Sequence, residues 1–186
     1  MKLLIMGPPG VGKGTQAVCI NNELRIAHLS TEEILRSEVD AKSVIGKNAK
    51  LYMDFGRLVP DNILIEIVSE RISKSDCQNG YILDGFPRTL PQAKGLDEMM
   101  HSIGHDLDCA ISLTANKDEL LDRLIKRGEE SSRSDDAPDV IRNRQKIYWE
   151  QTAPLLDFYH DKGILKEVDG LGEIPEITKR ILDALK

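Results

Sequence analysis

Cysteine is scarce in this chain, and its spacing suits no pairing. Cys19, Cys77 and Cys109 are far apart, odd in number and without a C-x-x-C, which argues against both a disulfide framework and a structural zinc site. A reducing cytoplasm is therefore expected. Long apolar runs are also missing. None approaches the roughly 20 residues of a membrane span, and the run after Met1-Lys2 stops at Gly7-Pro8, too short for a signal-peptide core. A basic surplus is lacking as well: the net charge of −6 argues against a general nucleic-acid binder, whose footprint is basic. Phosphate can still be held by a local cluster of Arg and Lys inside an acidic shell. No internal repeat or low-complexity tract divides the chain, and 186 residues suffice for one domain with a real core.

What is present is an alternation of strands and helices. Lys2–Met6 is continuously apolar, as a strand buried on both faces would be. A helix over 14–24 and a strand over Arg25–Leu29 follow. Ser30, with Glu33 three residues on, fits a capping box that opens a helix toward Val39. Helices are predicted at about 42–55, ended by Gly56, and about 60–74, opened by Pro60-Asp61. Tyr81–Asp84 reads as a strand, Gly85–Arg88 as a turn, and Pro91 as the start of a helix to about residue 102. Then come a strand over Leu107–Leu113, a helix capped by Asn116 and ended by Gly128, and a polar loop over 129–136. Pro138 opens a long helix interrupted near Pro154, before a strand over Ile164–Val168 and a helix over 174–185. This order predicts an α/β fold, a five-stranded parallel sheet flanked by helices. The roughly 50 residues between Leu29 and Tyr81 are too many for one crossover, so residues 30–59 are expected to form a small helical insertion at the sheet edge.

The strand–turn–helix at the N-terminus carries the strongest chemical signal. Gly7-Pro-Pro-Gly-Val-Gly-Lys13 nearly spells the phosphate-binding loop G-x-x-x-x-G-K-[ST]. Gly14 stands where the hydroxyl belongs, and Thr15 comes one residue late. Backbone N–H groups of Gly10, Val11, Gly12, Lys13, Gly14 and Thr15 can surround a phosphate at the positive end of a helix, while Lys13 supplies a compact charge. Asp84 follows a buried strand directly, at the carboxyl end where ligands sit in open α/β sheets. A carboxylate there can hold Mg2+ through water; an Asp that only caps a turn is the alternative. Arg88 offers a planar fork for a phosphate, and Phe86-Pro87 is a candidate cis peptide.

Gly7–Thr15 resembles the loop of nucleoside monophosphate kinases, where Gly followed by Thr is the usual ending. DGFPRTLPQA at 84–93, STEEILR at 30–36 and GRLVPD at 56–61 resemble the adenylate kinase versions of their segments, in register over the first half of the chain. DRLIKR at 122–127 aligns in the second half. The resemblance implies a P-loop kinase fold and Mg-dependent transfer of the ATP γ-phosphate to AMP, giving two ADP. It places Thr31, Arg36, Arg57, Leu58, Val59, Gly85, Phe86, Pro87, Arg88 and Gln92 at an AMP site. There Arg36 and Arg88 would grip the α-phosphate and Gln92 would read the adenine edge. Thr89 favours AMP, since UMP/CMP kinases usually carry Asn there. Glu32-Glu33 departs from the family's usual Gly-Asp; Glu33 keeps the capping geometry, while Glu32 adds charge and bulk near the acceptor pocket.

Arg123 and Arg127 are four apart and share a helix face; taken alone, such a pair is more often a salt-bridged surface. The resemblance assigns both to the ATP side, Arg133 and Arg144 to a bridge between the transferring phosphate and AMP, and Gly172 to a segment covering the ATP adenine. Thr15 and Asp84 would lie nearest the metal. Lys13, Arg88, Arg123, Arg133 and Arg144 become the catalytic candidates. Only Gly128–Ser132 separates Arg127 from Arg133, which resembles the short-lid form of the family, with a lid over 127–136 and a core of 1–29, 60–127 and 137–186. That stretch has no cysteine or histidine, so no lid zinc is expected. His28, His101, His105 and His160 show no ligand spacing and read as structural or surface residues.

The expected partners are ATP, AMP and ADP, with no nucleic acid, no membrane and a monomeric state. Two other readings remain open at this stage: a kinase of the same fold acting on UMP or CMP, and a nucleotide-binding regulatory module without turnover. The acceptor-side arginines count against the second, because binding ATP alone needs no acceptor clamp.

Overall fold

Leu3 and Ile5 project from one face of strand β1 (Lys2–Met6) and Leu4 and Met6 from the other, which explains why the segment is apolar at each position after Lys2. The computed structural model describes residues 1–55, 57–116, 119–120, 123–124 and 138–186. β1 lies at the centre of a five-stranded sheet of order β2-β3-β1-β4-β5, where β2 is Ala27–Ser30, β3 Tyr81–Asp84, β4 Cys109–Thr114 and β5 Leu165–Asp169. Every pairing is parallel. The α/β architecture read from the alternation is thus present.

Two cores form, one on each side of the sheet. On one side Leu3, Ile5, Ile82 and Ile111 pack against Ala17 and Ile20 of α1 (Lys13–Leu24) and Ile177 and Ile181 of α8 (Ile174–Ala184). On the other, Leu4, Met6 and Leu83 meet α4 (Asp61–Ile72) through Leu64 and Val68 and α5 (Leu90–Ser102) through Leu96 and Met100. Leu155 and Tyr159 of α7 (Leu155–Asp161) join that second core. Between β2 and α4 the chain forms α2 (Thr31–Asp40) and α3 (Val44–Met53), capped by Ser30 and Ser43, whose hydroxyls accept the Glu33 and Gly46 N–H groups. The two helices cross so closely that a Cβ on Gly46 would collide with the Glu38 carbonyl.

Several boundaries differ from expectation, each for a local reason. β2 starts at Ala27 rather than Arg25, because Arg25 (φ 53) takes the left-handed cap of α1. β4 starts at Cys109 rather than Leu107: Asp108 exchanges bonds with the Lys2 backbone, donating its N–H to Lys2 O (2.9 Å) and accepting the Lys2 N–H on its carboxylate (2.6 Å). β5 begins one residue later than Ile164. The α3 and α4 ranges are shorter than the predicted 42–55 and 60–74. The helix opened by Pro138 ends as α6 (Pro138–Ile147), and the interruption comes before Pro154, as a π turn over Tyr148–Thr152. Pro154 cannot donate an N–H, and such bulges recur at functional sites. The predicted helix from Asn116 to Gly128 and the 129–136 loop fall largely outside the described residues.

Candidate active site

Parallel pairing carries the carboxyl ends of β1, β3 and β2 to one edge of the sheet, with Ile5 beside Asp84 and Asp84 beside Ser30. The loops that leave these strands therefore meet over one crevice. After β1 the chain turns through Gly7 (φ 144), Gly10 (φ 88) and Gly12 (φ 98) into α1. At Gly7 a Cβ would lie 2.5 Å from Leu113 O, so a side chain is excluded by space as well as by conformation. No side chain caps the start of α1, and its first N–H groups are left to the crevice. Gly14 meets no such limit: a Cβ there would sit 3.5 Å from Asp84 Oδ2, an ordinary contact, and Thr15 is exposed on the same rim.

Lys13 folds back over the loop and donates from Nζ to Gly7 O (2.8 Å) and Pro8 O (3.0 Å). Burial pulls its pKa down to about 8; Asp84 opposes that shift, and the Arg88 and Arg144 charges add to it. Asp84 is 8% exposed. Its Oδ2 lies 3.3 Å from His28 Nε2, and its carbonyl accepts the Thr31 hydroxyl (3.2 Å).

Arg88 is fixed on three sides. Its Nε donates to Gly85 O (2.7 Å), its backbone N–H to Gln92 Oε1 (2.7 Å), and its carbonyl accepts the Thr152 hydroxyl from the π turn (2.8 Å). The Phe86–Pro87 peptide before it is cis, as the turn predicts. Arg36 donates to Glu32 Oε1 from Nη2 (2.9 Å) and Nε (3.3 Å). Burial pushes the Glu32 carboxyl up, but the charges of Arg88, Arg144 and Arg36 outweigh it and hold the group at about 2. Arg144 enters from α6, flanked by two ties: Asn143 Nδ2 donates to Phe55 O (2.7 Å) and Gln145 Nε2 to Pro9 O (3.3 Å).

Together these groups enclose a cleft of about 560 Å³ lined by Gly10, Gly12, Lys13, Gly14, Thr15, Arg36, Leu58, Asp84, Gly85, Pro87, Arg88, Arg123 and Arg144. Thr31, Arg57 and Val59 line a smaller adjoining pocket, shared with Glu32, Leu58, Gly85, Arg88 and Arg144. A cationic cleft has thus formed inside a chain of net charge −6, the local exception the composition left room for.

Other candidates stand off the cleft surface. Val11 and Phe86 are buried, and Gln92 is 0% exposed, its Oε1 engaged by Arg88 and its Nε2 donating to Asp61 (2.7 Å). Gly172 sits on the exposed loop between β5 and α8, outside the cleft lining, although Arg123 reaches that loop through Gly170 O (3.5 Å). Arg127 and Arg133 lie outside the described residues.

Sequence reasoning passed over His28 as structural, and it did not single out Tyr148 and Thr152, or the apolar wall of Leu35, Met53 and Leu64. Glu32 and Arg36 were each named from the sequence, but their mutual ion pair was not foreseen, although its i, i+4 spacing is a local signal.

Asp84 and Thr15 both contribute hard oxygen donors to the lining of the cleft. Among the described residues no group of three or more His, Cys, Asp or Glu could form a metal cage. That donor set fits Mg2+, which keeps several waters and takes its other ligands from substrate phosphates.

A model of the adenylate kinase family matches residues 5–164. The chain belongs to the adenylate kinase family. It is 46% identical over 186 residues to the adenylate kinase of Stenotrophomonas maltophilia (strain R551-3), covering all of both chains. It is also 46% identical over 185 residues to that of Nocardioides sp. (strain ATCC BAA-499 / JS614), covering all of this chain and 97% of the relative. With the Leptospira biflexa serovar Patoc (strain Patoc 1 / Ames) adenylate kinase the identity is 46% over 184 residues, 99% of each. The family are phosphotransferases, and phosphoryl transfer between ATP and AMP is their reaction. Among the described residues no helix is long and apolar enough to cross a membrane.

Proposed function

We propose that this chain catalyses reversible transfer of the γ-phosphoryl group of Mg-ATP to AMP, giving two ADP, as a cytoplasmic monomer. The observation that carries this reading is the single cleft in which the phosphate loop, Arg36, Arg88, Arg123 and Arg144 converge from separate elements. An ATP site alone would need the loop and one flank of cations; this cleft has cations on both flanks.

In this reading the α1 N-terminus and Lys13 hold the ATP phosphates, with Lys13 exchanging the Gly7 and Pro8 carbonyls for phosphate oxygens. Arg36 and Arg88 hold the AMP phosphate, Arg123 the ATP side, and Arg144 the group in transit. Arg127 and Arg133 complete the clamp from the 127–136 lid. Thr31, Arg57, Leu58, Val59 and the Gly85–Arg88 turn shape the acceptor pocket. Gln92 supports that turn from beneath, and it would read the adenine edge only where nucleotide entry opens the pocket onto its amide. Gly172 closes over the ATP base.

An AMP phosphate oxygen attacks the γ-phosphorus in line. The bond from that phosphorus to the β,γ-bridging oxygen breaks, and the first ADP leaves with the electron pair. The AMP phosphate is already ionised at neutral pH, so no general base is required, and positioning with charge neutralisation is the protein's main task. Mg2+ held by Asp84 and Thr15 through water would neutralise phosphate charge. Segment 30–59 and the lid exclude water and so suppress ATP hydrolysis.

A panel of AMP, GMP, UMP and CMP with Mg-ATP, read by coupled ADP release, tests the proposal. AMP is expected to be the preferred acceptor. Preference for a pyrimidine would replace the acceptor assignment, and no turnover with any of the four would leave a binding module.

A further inference from the structure

Glu32 lies in the first turn of α2, where an acidic side chain is favoured by the helix dipole and can pair with a cation four residues on. Its surroundings go beyond that. It lines both the main cleft and the adjoining pocket, and Arg88 and Arg144 line both with it. Those two arginines come from the turn after β3 and from α6, so three elements bring cations around one carboxylate. Its Oε1 takes two N–H groups of Arg36. A carboxylate and a phosphate both offer a guanidinium charged oxygens that accept its N–H groups.

We propose that Glu32 is an intramolecular competitor for the acceptor's phosphate, its carboxylate engaging Arg36 and lying among Arg88 and Arg144 where that phosphate is to bind. The inference rests on the kinase reading and deepens it. Without acceptor, the carboxylate relieves repulsion among three neighbouring cations. When a phosphate of like charge arrives, it must take Arg36 from Glu32, and the side chain has to turn away. The apparent affinity for AMP is lowered by the fraction of molecules in which the arginines are already engaged. The Mg-ATP side, held by the α1 N-terminus and Lys13, shares less of this cost, because Lys13 donates to Gly7 O and Pro8 O and Glu32 acts on it less than Asp84, Arg88 or Arg144 do. Glu32 therefore sets acceptor affinity more than donor affinity. Its strong depression to about 2 keeps the competitor charged throughout the physiological pH range.

Two variants of the full chain test this. Glu32→Gln keeps the size of the side chain and Glu32→Ala removes it. In steady-state kinetics the KM for AMP is expected to fall about tenfold, on the premise that most free molecules hold the engaged pair, and this fall should exceed any change in kcat or in the KM for Mg-ATP. Calorimetry with inorganic phosphate as the probe, on nucleotide-free protein, should show tighter binding to both variants than to the parent, an outcome that does not depend on turnover. An unchanged or raised AMP KM together with unchanged phosphate binding would overturn the proposal. Should the parent chain make no ADP from AMP, the kinase reading fails, and the phosphate measurement still decides whether Glu32 competes.

Discussion

Lys13 holds its charge in a crowded position, and pH can read the consequence. Its pKa of about 8 in the folded protein lies below the 10.5 of an ordinary lysine, burial being the main cause. Between those values the unfolded chain binds a proton that the folded one has released, so this group makes stability rise with pH across that window. Below about pH 8 the cost of burying the charge is fully present. Lys13→Met carries no such cost. In urea unfolding the variant should gain on the parent most at pH 7, and the gap should narrow as the pH approaches 10. Phosphoryl transfer by the variant should be lost at every pH. A gap that stays constant with pH would mean that the ammonium is not desolvated.

At the scale of elements, the acceptor side depends on how α2 and α3 cross. Gly46 on α3 faces the Glu38 carbonyl of α2 with no room for a methyl group, and the obstacle is backbone, which cannot swing aside. Gly46→Ala should force the helices apart at a cost of about 1–3 kcal/mol, the usual range for overpacking. Arg36 and the apolar wall of Leu35 and Met53 move with them. The KM for AMP is expected to rise several-fold, with the KM for Mg-ATP less affected, while hydrogen exchange quickens in α3 and not in β1. Equal effects on both substrates would show that the segment does not act separately from the core. The π turn works in the opposite sense, stiffening the site: Thr152 holds the Arg88 carbonyl from a segment whose sequence reads as helix.

On the scale of the whole molecule, the proposed reaction requires room and charge for two nucleotides end to end. The acidic exterior repels anions in general, whereas the cleft concentrates Lys13 and the arginines where phosphate must go. The ties from α6 to Phe55 O and Pro9 O link the acceptor segment with the phosphate loop. A mimic of two adenosines joined by five phosphates should bind one per chain in calorimetry. Bound at about a thousand times its dissociation constant, it should stabilise the fold by about 4 kcal/mol. Displacement of the mimic by ATP alone, with AMP unable to compete, would reduce the cleft to a single nucleotide site.

What could be read along the chain was whatever depends on near neighbours. The phosphate loop, the Ser30 cap, the turn after Tyr81–Asp84 and the apolar strands all follow from spacing within a few residues, because backbone geometry and burial act at that range. Their order was enough to give a parallel α/β sheet and to mark the phosphate loop, Asp84 and Arg88, whereas Arg36, Leu58, Arg123 and Arg144 were placed at the cleft only by the resemblance to adenylate kinases. Tertiary structure alone decided which side chains share a space. His28 reaches Asp84 because β2 and β3 pair in one register, Gln92 is drawn beneath the Arg88 turn by Asp61, and Glu32 meets arginines from two distant elements. Such meetings depend on how strands align and helices cross, and no local spacing encodes them.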